Sequence, residues 1–96
     1  MPTTTIFMEE KFYLYIAECS DDSLYTGITN NLFEREKRHN SGVGSNYTKQ
    51  RTPVKIVYSE TFFSRKQAAQ REKQIKGWSK KKKMHLILHG HPNKDT

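Results

Sequence analysis

Cysteine is all but missing from this chain: Cys19 is the one thiol among 96 residues. That excludes an internal disulfide and a four-thiolate zinc site. Cys19 sits in an apolar run and reads as a small core residue, not a nucleophile. Long hydrophobic stretches are also absent, and none approaches the roughly 20 apolar residues needed to span a bilayer. The start, MPTTTIFMEEKFYLY, lacks a basic segment followed by an apolar one, so no secretory signal is expected and the protein should be cytoplasmic. Acidic residues are scarce, 10 Asp+Glu against 17 Lys+Arg, which leaves a net charge of +7. Such an excess favours an anionic partner, most simply nucleic acid, although solubility alone would also use it. At 33% hydrophobic the core must be thin and the surface very polar. The length suits one domain spanning 1–96, with an ordered core over about 11–88 and loose ends.

What is present falls into a clear order. FYLYIAEC, Phe12 to Cys19, is apolar and aromatic almost throughout, as in a strand covered on both faces. Ser20 to Ser23 supply turn chemistry and LYTGIT returns as an antiparallel partner. Asn31 with Glu34 forms a capping box, so a helix should open near Leu32 and stop near Ser41-Gly42. Residues 42–53 form a long polar connection, unusual enough in a compact domain to suggest function. VKIVYSETF alternates as a third strand. Ser64 with Gln67 opens a second helix that ends at Gly77, and Ser79 caps a third through Leu88. The expected fold is α/β of the α+β kind, a small, mainly antiparallel three-stranded sheet flanked by helices in the order β-β-α-β-α-α.

Several residues stand where a plain core would not put them. Leu32, Arg35 and His39 share one helical stripe, so Arg35 and His39 should face the sheet or its rim. A guanidinium there needs an anion, either an internal partner such as Glu36 or Glu60 or a bound ligand. Ala68, Glu72 and Ile75 share a stripe of the second helix, whose other charges are all basic. Glu72 is then either paired with Arg35 or held for a divalent cation. Tyr13, Tyr15 and Tyr25 crowd the first hairpin, where Tyr15 and Tyr25 could approach across the pair; aromatic preference for strands explains many such tyrosines.

Basic density is the remaining signal. Between Arg65 and Lys83 there are nine basic residues and one acid. Lys80, Lys81, Lys82 and Lys83 fill a helix's first turn, where the macrodipole disfavours cations unless phosphates lie nearby. With Arg71, Lys73 and Lys76 they make a candidate nucleic-acid surface, to which Lys49 and Arg51, beside Tyr47, add a loop. Trp78 reads as a core plug. His85, His89 and His91 at the end lack a fourth zinc ligand and read as a solvated tail.

YLY at 13–15, YTG at 25–27, Arg35 ten residues past Tyr25 and Glu72 in a late helix resemble the GIY-YIG nuclease domain, over roughly residues 11–88. The likeness is greatest to small stand-alone bacterial members. The same domain forms the N-terminal nuclease of the bacterial excision-repair incision subunit, so DNA repair is one implied setting. The resemblance implies a DNA endonuclease, structure-selective or non-specific, that hydrolyses phosphodiester bonds with one Mg²⁺ or Mn²⁺. By position it implies catalytic roles for Tyr15, Tyr25, Arg35 and His39, and a metal-binding role for Glu72. Tyr13 replaces the first motif's glycine and Thr26 the second's isoleucine. Ile28 stands where some members carry a lysine, and His91 where many carry an asparagine.

The implied chemistry agrees with the residues. A single carboxylate suits one Mg²⁺, which keeps several waters and takes phosphate oxygens. Arg35 would clamp the phosphate with its planar fork. Tyr25 would be the general base with Tyr15 in support; a free phenol titrates near 10, so it needs nearby cations or an acidified water. His39 could assist as base or relay. The competing expectation is a nucleic-acid-binding module on the same fold that cuts weakly or not at all. A general protein-interaction domain explains neither Glu72 nor the lysine run.

Overall fold

The computed structural model describes residues 10–43 and 45–90. Three strands, β1 (Phe12–Glu18), β2 (Leu24–Thr29) and β3 (Lys55–Phe62), are joined by four helices, α1 (Leu32–Asn40), α2 (Asn46–Lys49), α3 (Arg65–Lys76) and α4 (Lys80–His89). The order is β-β-α-α-β-α-α, one short helix more than the sequence led us to expect. The sheet is antiparallel throughout and its order is β2-β1-β3. The central place of β1 explains its near-continuous apolar sequence, since both of its faces are covered.

Because side chains alternate along a strand, β1 feeds two separate cores. Leu14 and Ile16 pack with Ile75 of α3 and Leu86 of α4, flanked by Ile28, Tyr58, Phe62 and Trp78. Tyr15, Ala17 and Cys19 pack with Val54 on the other side, flanked by Tyr25, Leu32 and Ile56. Cys19 is buried, and burial raises its thiol pKa, so it is a core residue. Trp78 plugs the first core, with the Lys82 ammonium 4.4 Å above its ring. Among the described residues no helix is long and apolar enough to cross a membrane.

Local caps set the helix starts. The Asn31 side chain accepts the Glu34 N–H at 3.0 Å, Ser64 accepts that of Gln67 at 3.1 Å, and Ser79 that of Lys82 at 3.1 Å. Each bond satisfies an otherwise orphaned donor of a first turn. Gly90 ends α4 with φ of 77°, a left-handed cap that costs glycine nothing. The unexpected α2 is built the same way: Ser45 accepts the Thr48 N–H at 3.2 Å. With four residues it has no apolar periodicity to reveal it, and only the serine hints at it. His91 and the first nine residues lie outside the described part of the chain.

Candidate active site

The second core is polar at its centre. Tyr15 and His39 are both fully buried, and the Tyr15 hydroxyl lies 2.8 Å from His39 Nε2. The other ring nitrogen, Nδ1, is 2.8 Å from the hydroxyl of Thr48, itself fully buried. Thr48 belongs to α2, so the connection after α1 folds back to close this core. The opposing strand allows it too. Gly27 faces Tyr15 across the β1–β2 ladder, and a Cβ there would stand 2.7 Å from the phenol oxygen. Such a distance is far inside van der Waals contact, so the Tyr15 ring needs a glycine opposite it.

Tyr25, half-buried on β2, sits diagonally from Tyr15. Their ring centres are 6.2 Å apart, and Tyr25 meets the His39 ring edge-on at 5.4 Å. Arg35 lies one turn before His39 on α1 and is half-buried; it makes no ion pair among the described residues. The internal partners considered for it are engaged elsewhere. Glu36 accepts the Ile56 N–H at 2.7 Å, and Glu60 takes a two-pronged contact from Arg71.

Electrostatics tie these groups together. Burial pushes the Tyr15 phenol well above its usual pKa, and the neighbouring Tyr25 and Glu72 add to that rise. Arg35 pulls the other way, chiefly through its charge. His39 is lowered from its ordinary value by burial first and by the Arg35 charge second, so it is neutral near pH 7. Glu72 reaches this neighbourhood from α3, the helix whose Ile75 fills the other core. It is half-buried and paired with Lys76 at 3.2 Å.

Two features of the site escaped the sequence. One is Thr48, nine residues from the histidine it bonds, in a stretch without pattern. The other is a cleft of about 360 Å³ on the outer side of α1, lined among others by Asn31, Glu34, Arg35, Lys37 and Arg38. Lys37 and Arg38 were readable only as two more cations on the helix that carries Arg35. The proposed nucleic-acid residues are more varied than a simple basic stripe. Lys49, Lys73, Lys80 and Lys81 are exposed. Arg51 is held by Asp21 at 3.0 Å and lies 4.1 Å over the Tyr47 ring. Arg71 is committed to Glu60, Lys76 to Glu72, and Lys82 covers Trp78. Burial and the adjacent Lys76 lower the pKa of Lys83.

Whether a metal fits can be asked of the donors themselves. Among the described residues no three of His, Cys, Asp or Glu are grouped to hold an ion. The described residues therefore build no cage of such side chains for zinc or calcium. One half-buried carboxylate, Glu72, is compatible with Mg²⁺ or Mn²⁺, which take few protein ligands and fill the rest with water and substrate oxygens.

A family model for the GIY-YIG catalytic domain matches residues 11–85. This chain is a GIY-YIG protein. It belongs to a family of nucleases, whose substrates are nucleic acids. Its relatives are small and stand-alone. A UPF0213 protein of Haloquadratum walsbyi is 46% identical over 83 residues, covering 86% of this chain and 93% of that one. One from Staphylococcus saprophyticus is 46% identical over 81 residues, covering 84% and 99%. The solution structure of the UPF0213 protein of Bacillus halodurans has a TM-score of 0.53 at 41% identity, over 85% of this chain and 88% of that chain. Within this GIY-YIG fold, Tyr15 and Tyr25 come from the two motif strands, and Arg35, His39 and Glu72 from the two helices that flank them.

Proposed function

We propose that the protein is a metal-dependent DNA endonuclease that hydrolyses phosphodiester bonds at the hollow framed by Tyr25, Arg35 and Glu72. The observation that carries this reading is electrostatic. Tyr15 feels Tyr25, Arg35 and Glu72 at once, so two phenols, one guanidinium and one carboxylate share a neighbourhood. Arg35, which makes no ion pair among the described residues, offers its planar donors to the non-bridging oxygens of the scissile phosphate and offsets the charge that builds there. Tyr25 is the better base of the two phenols: it is half-buried, whereas Tyr15 is sealed from the water that must attack. Tyr15 and His39 form the buried support that holds Arg35 and packs against Tyr25. Glu72 would hold the Mg²⁺ or Mn²⁺, exchanging its contact with Lys76 for it. When bound, the ion supplies charge neutralisation at the phosphate and stabilises the departing oxygen. The cleft along α1, with Arg35, Lys37 and Arg38, continues the path for the nucleic-acid backbone.

A second reading, a binding module without strong catalysis, is favoured by one observation. Lys76 already occupies Glu72, and Ile28 supplies no cation where some relatives have one. Cleavage of plasmid, branched and flap DNA with Mg²⁺ or Mn²⁺ separates the two. For the nuclease, Arg35→Ala should slow cutting on the order of 100- to 1,000-fold, and Glu72→Ala should abolish metal-supported cutting. Equal DNA binding by all three proteins, with no substrate cut by any, leaves the binding module.

A further inference from the structure

The hydrogen bonds around His39 have a direction, and it can be worked out by counting protons. The Thr48 hydroxyl carries one proton and lies 3.2 Å from the Ser45 carbonyl oxygen, which can only accept. Its second serine contact, to Ser45 Oγ at 3.1 Å, can be donated by either hydroxyl: given by Ser45 it leaves the Thr48 proton for the carbonyl, and given by Thr48 it still turns that proton away from His39. With its proton turned towards Ser45, Thr48 meets His39 Nδ1 as an acceptor, so Nδ1 bears the imidazole hydrogen. Nε2 is then bare, and the 2.8 Å contact to Tyr15 is a hydrogen bond donated by the phenol. The phenol oxygen then keeps its lone pairs clear of His39. A histidine rotated or tautomerised the other way would donate to Tyr15 and free the phenol proton to point at Arg35.

We propose that Thr48 is a positioning residue for phosphodiester hydrolysis: by accepting the Nδ1 hydrogen of His39 it fixes the tautomer that turns the Tyr15 lone pairs towards Arg35. The order runs Tyr15 to His39 to Thr48 to Ser45, each group donating to the next, with Arg35 one turn before His39 on α1. It links a short helix in the connection after α1 to the group that meets the phosphate. Burial strengthens the constraint, because Tyr15, His39 and Thr48 are all closed to solvent and no water can replace a lost partner. The lowered pKa of His39 is consistent, since a neutral ring is required for Nε2 to accept. Thr48 itself touches no substrate. This inference rests on the nuclease reading for its consequence, but its geometric content stands apart from it.

The test reads both separately. Long-range ¹H–¹⁵N correlation of the imidazole in the intact protein, near neutral pH, reports which nitrogen of His39 carries hydrogen. The expected result is the Nδ1–H form in the wild type and in Thr48→Ser. In Thr48→Val, nearly equal in volume but without a hydroxyl, the Nε2–H form should gain population. In the cleavage assay Thr48→Val should lose roughly tenfold to a hundredfold in kcat, with KM for DNA little changed, and Thr48→Ser should recover most of it. An Nε2–H histidine in the wild type overturns the proposal whatever the variants do, even should Thr48→Val fail to fold. So does a Thr48→Val protein that keeps the wild-type tautomer and rate. If the tautomers behave as expected but no protein cuts DNA, the nuclease reading falls, and with it the kinetic role of Thr48.

Discussion

Leu14 and Ile16 point into a face closed by Ile75, Leu86 and Trp78, whereas Tyr15, between them on the same strand, points into one closed by His39 and Thr48. The first face is ordinary close packing. Any well-fitting set of apolar side chains could do its work, and its contribution scales with the area removed from water. The second buries three polar side chains whose value depends on every hydrogen bond being made. A fold needs only the first kind of face. On the nuclease reading proposed above, the second serves to hold Arg35 at its margin, and the difference would separate what keeps this protein folded from what makes it active.

Four variants or conditions would break or sharpen that contrast. Tyr25→Phe, on the polar side, should lower the cleavage rate on the order of 100- to 10,000-fold while the melting temperature stays close to wild type; a rate within a few-fold of wild type would remove Tyr25 as the base. Leu86→Ala, on the apolar side, should cost about 2–5 kcal/mol in urea unfolding, yet the folded protein should cut DNA at the normal rate. A Leu86 variant that remains fully folded but inactive would mean that the faces are not separable. Gly27→Ala places a methyl against the Tyr15 phenol and should cost about 1–3 kcal/mol, with activity falling further than stability explains. Unchanged stability and activity would show that Tyr15 need not lie over that glycine.

The smallest effect is one of pH. His39 binds its proton less readily in the folded chain than its ordinary value of about 6.5, because burial and Arg35 oppose the charge. Below that value the unfolded chain takes up a proton that the folded one refuses, so unfolding is favoured. The stabilisation is whole above the unfolded pKa and is lost as pH falls through the folded one. Melting curves from about pH 8 to about pH 5 should drop more steeply for the wild type than for His39→Gln. Parallel curves would mean that His39 is not the group responsible.

Much of this was legible in the chain, for identifiable reasons. Both motif strands announce themselves through their aromatic and β-branched residues. Asn31, Ser64 and Ser79 mark three helix starts, because a cap is a local device read three residues ahead. The stripe of Leu32, Arg35 and His39 follows from helical periodicity alone, and the structure turns that stripe towards the sheet, with His39 buried. What could not be read was pairing across the fold. Nothing in the sequence joins His39 to Thr48, Arg71 to Glu60 or Arg51 to Asp21, since each depends on where a loop or helix lands. The basic run looked uniform for the same reason; in space several of its members are already engaged.

The tight seat of Tyr15 over Gly27 has a bearing on how the hairpin assembles. If β2 slides by a single position, Thr26 or Ile28 takes the glycine's place opposite Tyr15, and the phenol no longer fits. A misaligned hairpin therefore cannot build the pocket. The glycine acts as a gauge of strand alignment, so every molecule that completes this polar core has already passed an inspection of its own folding.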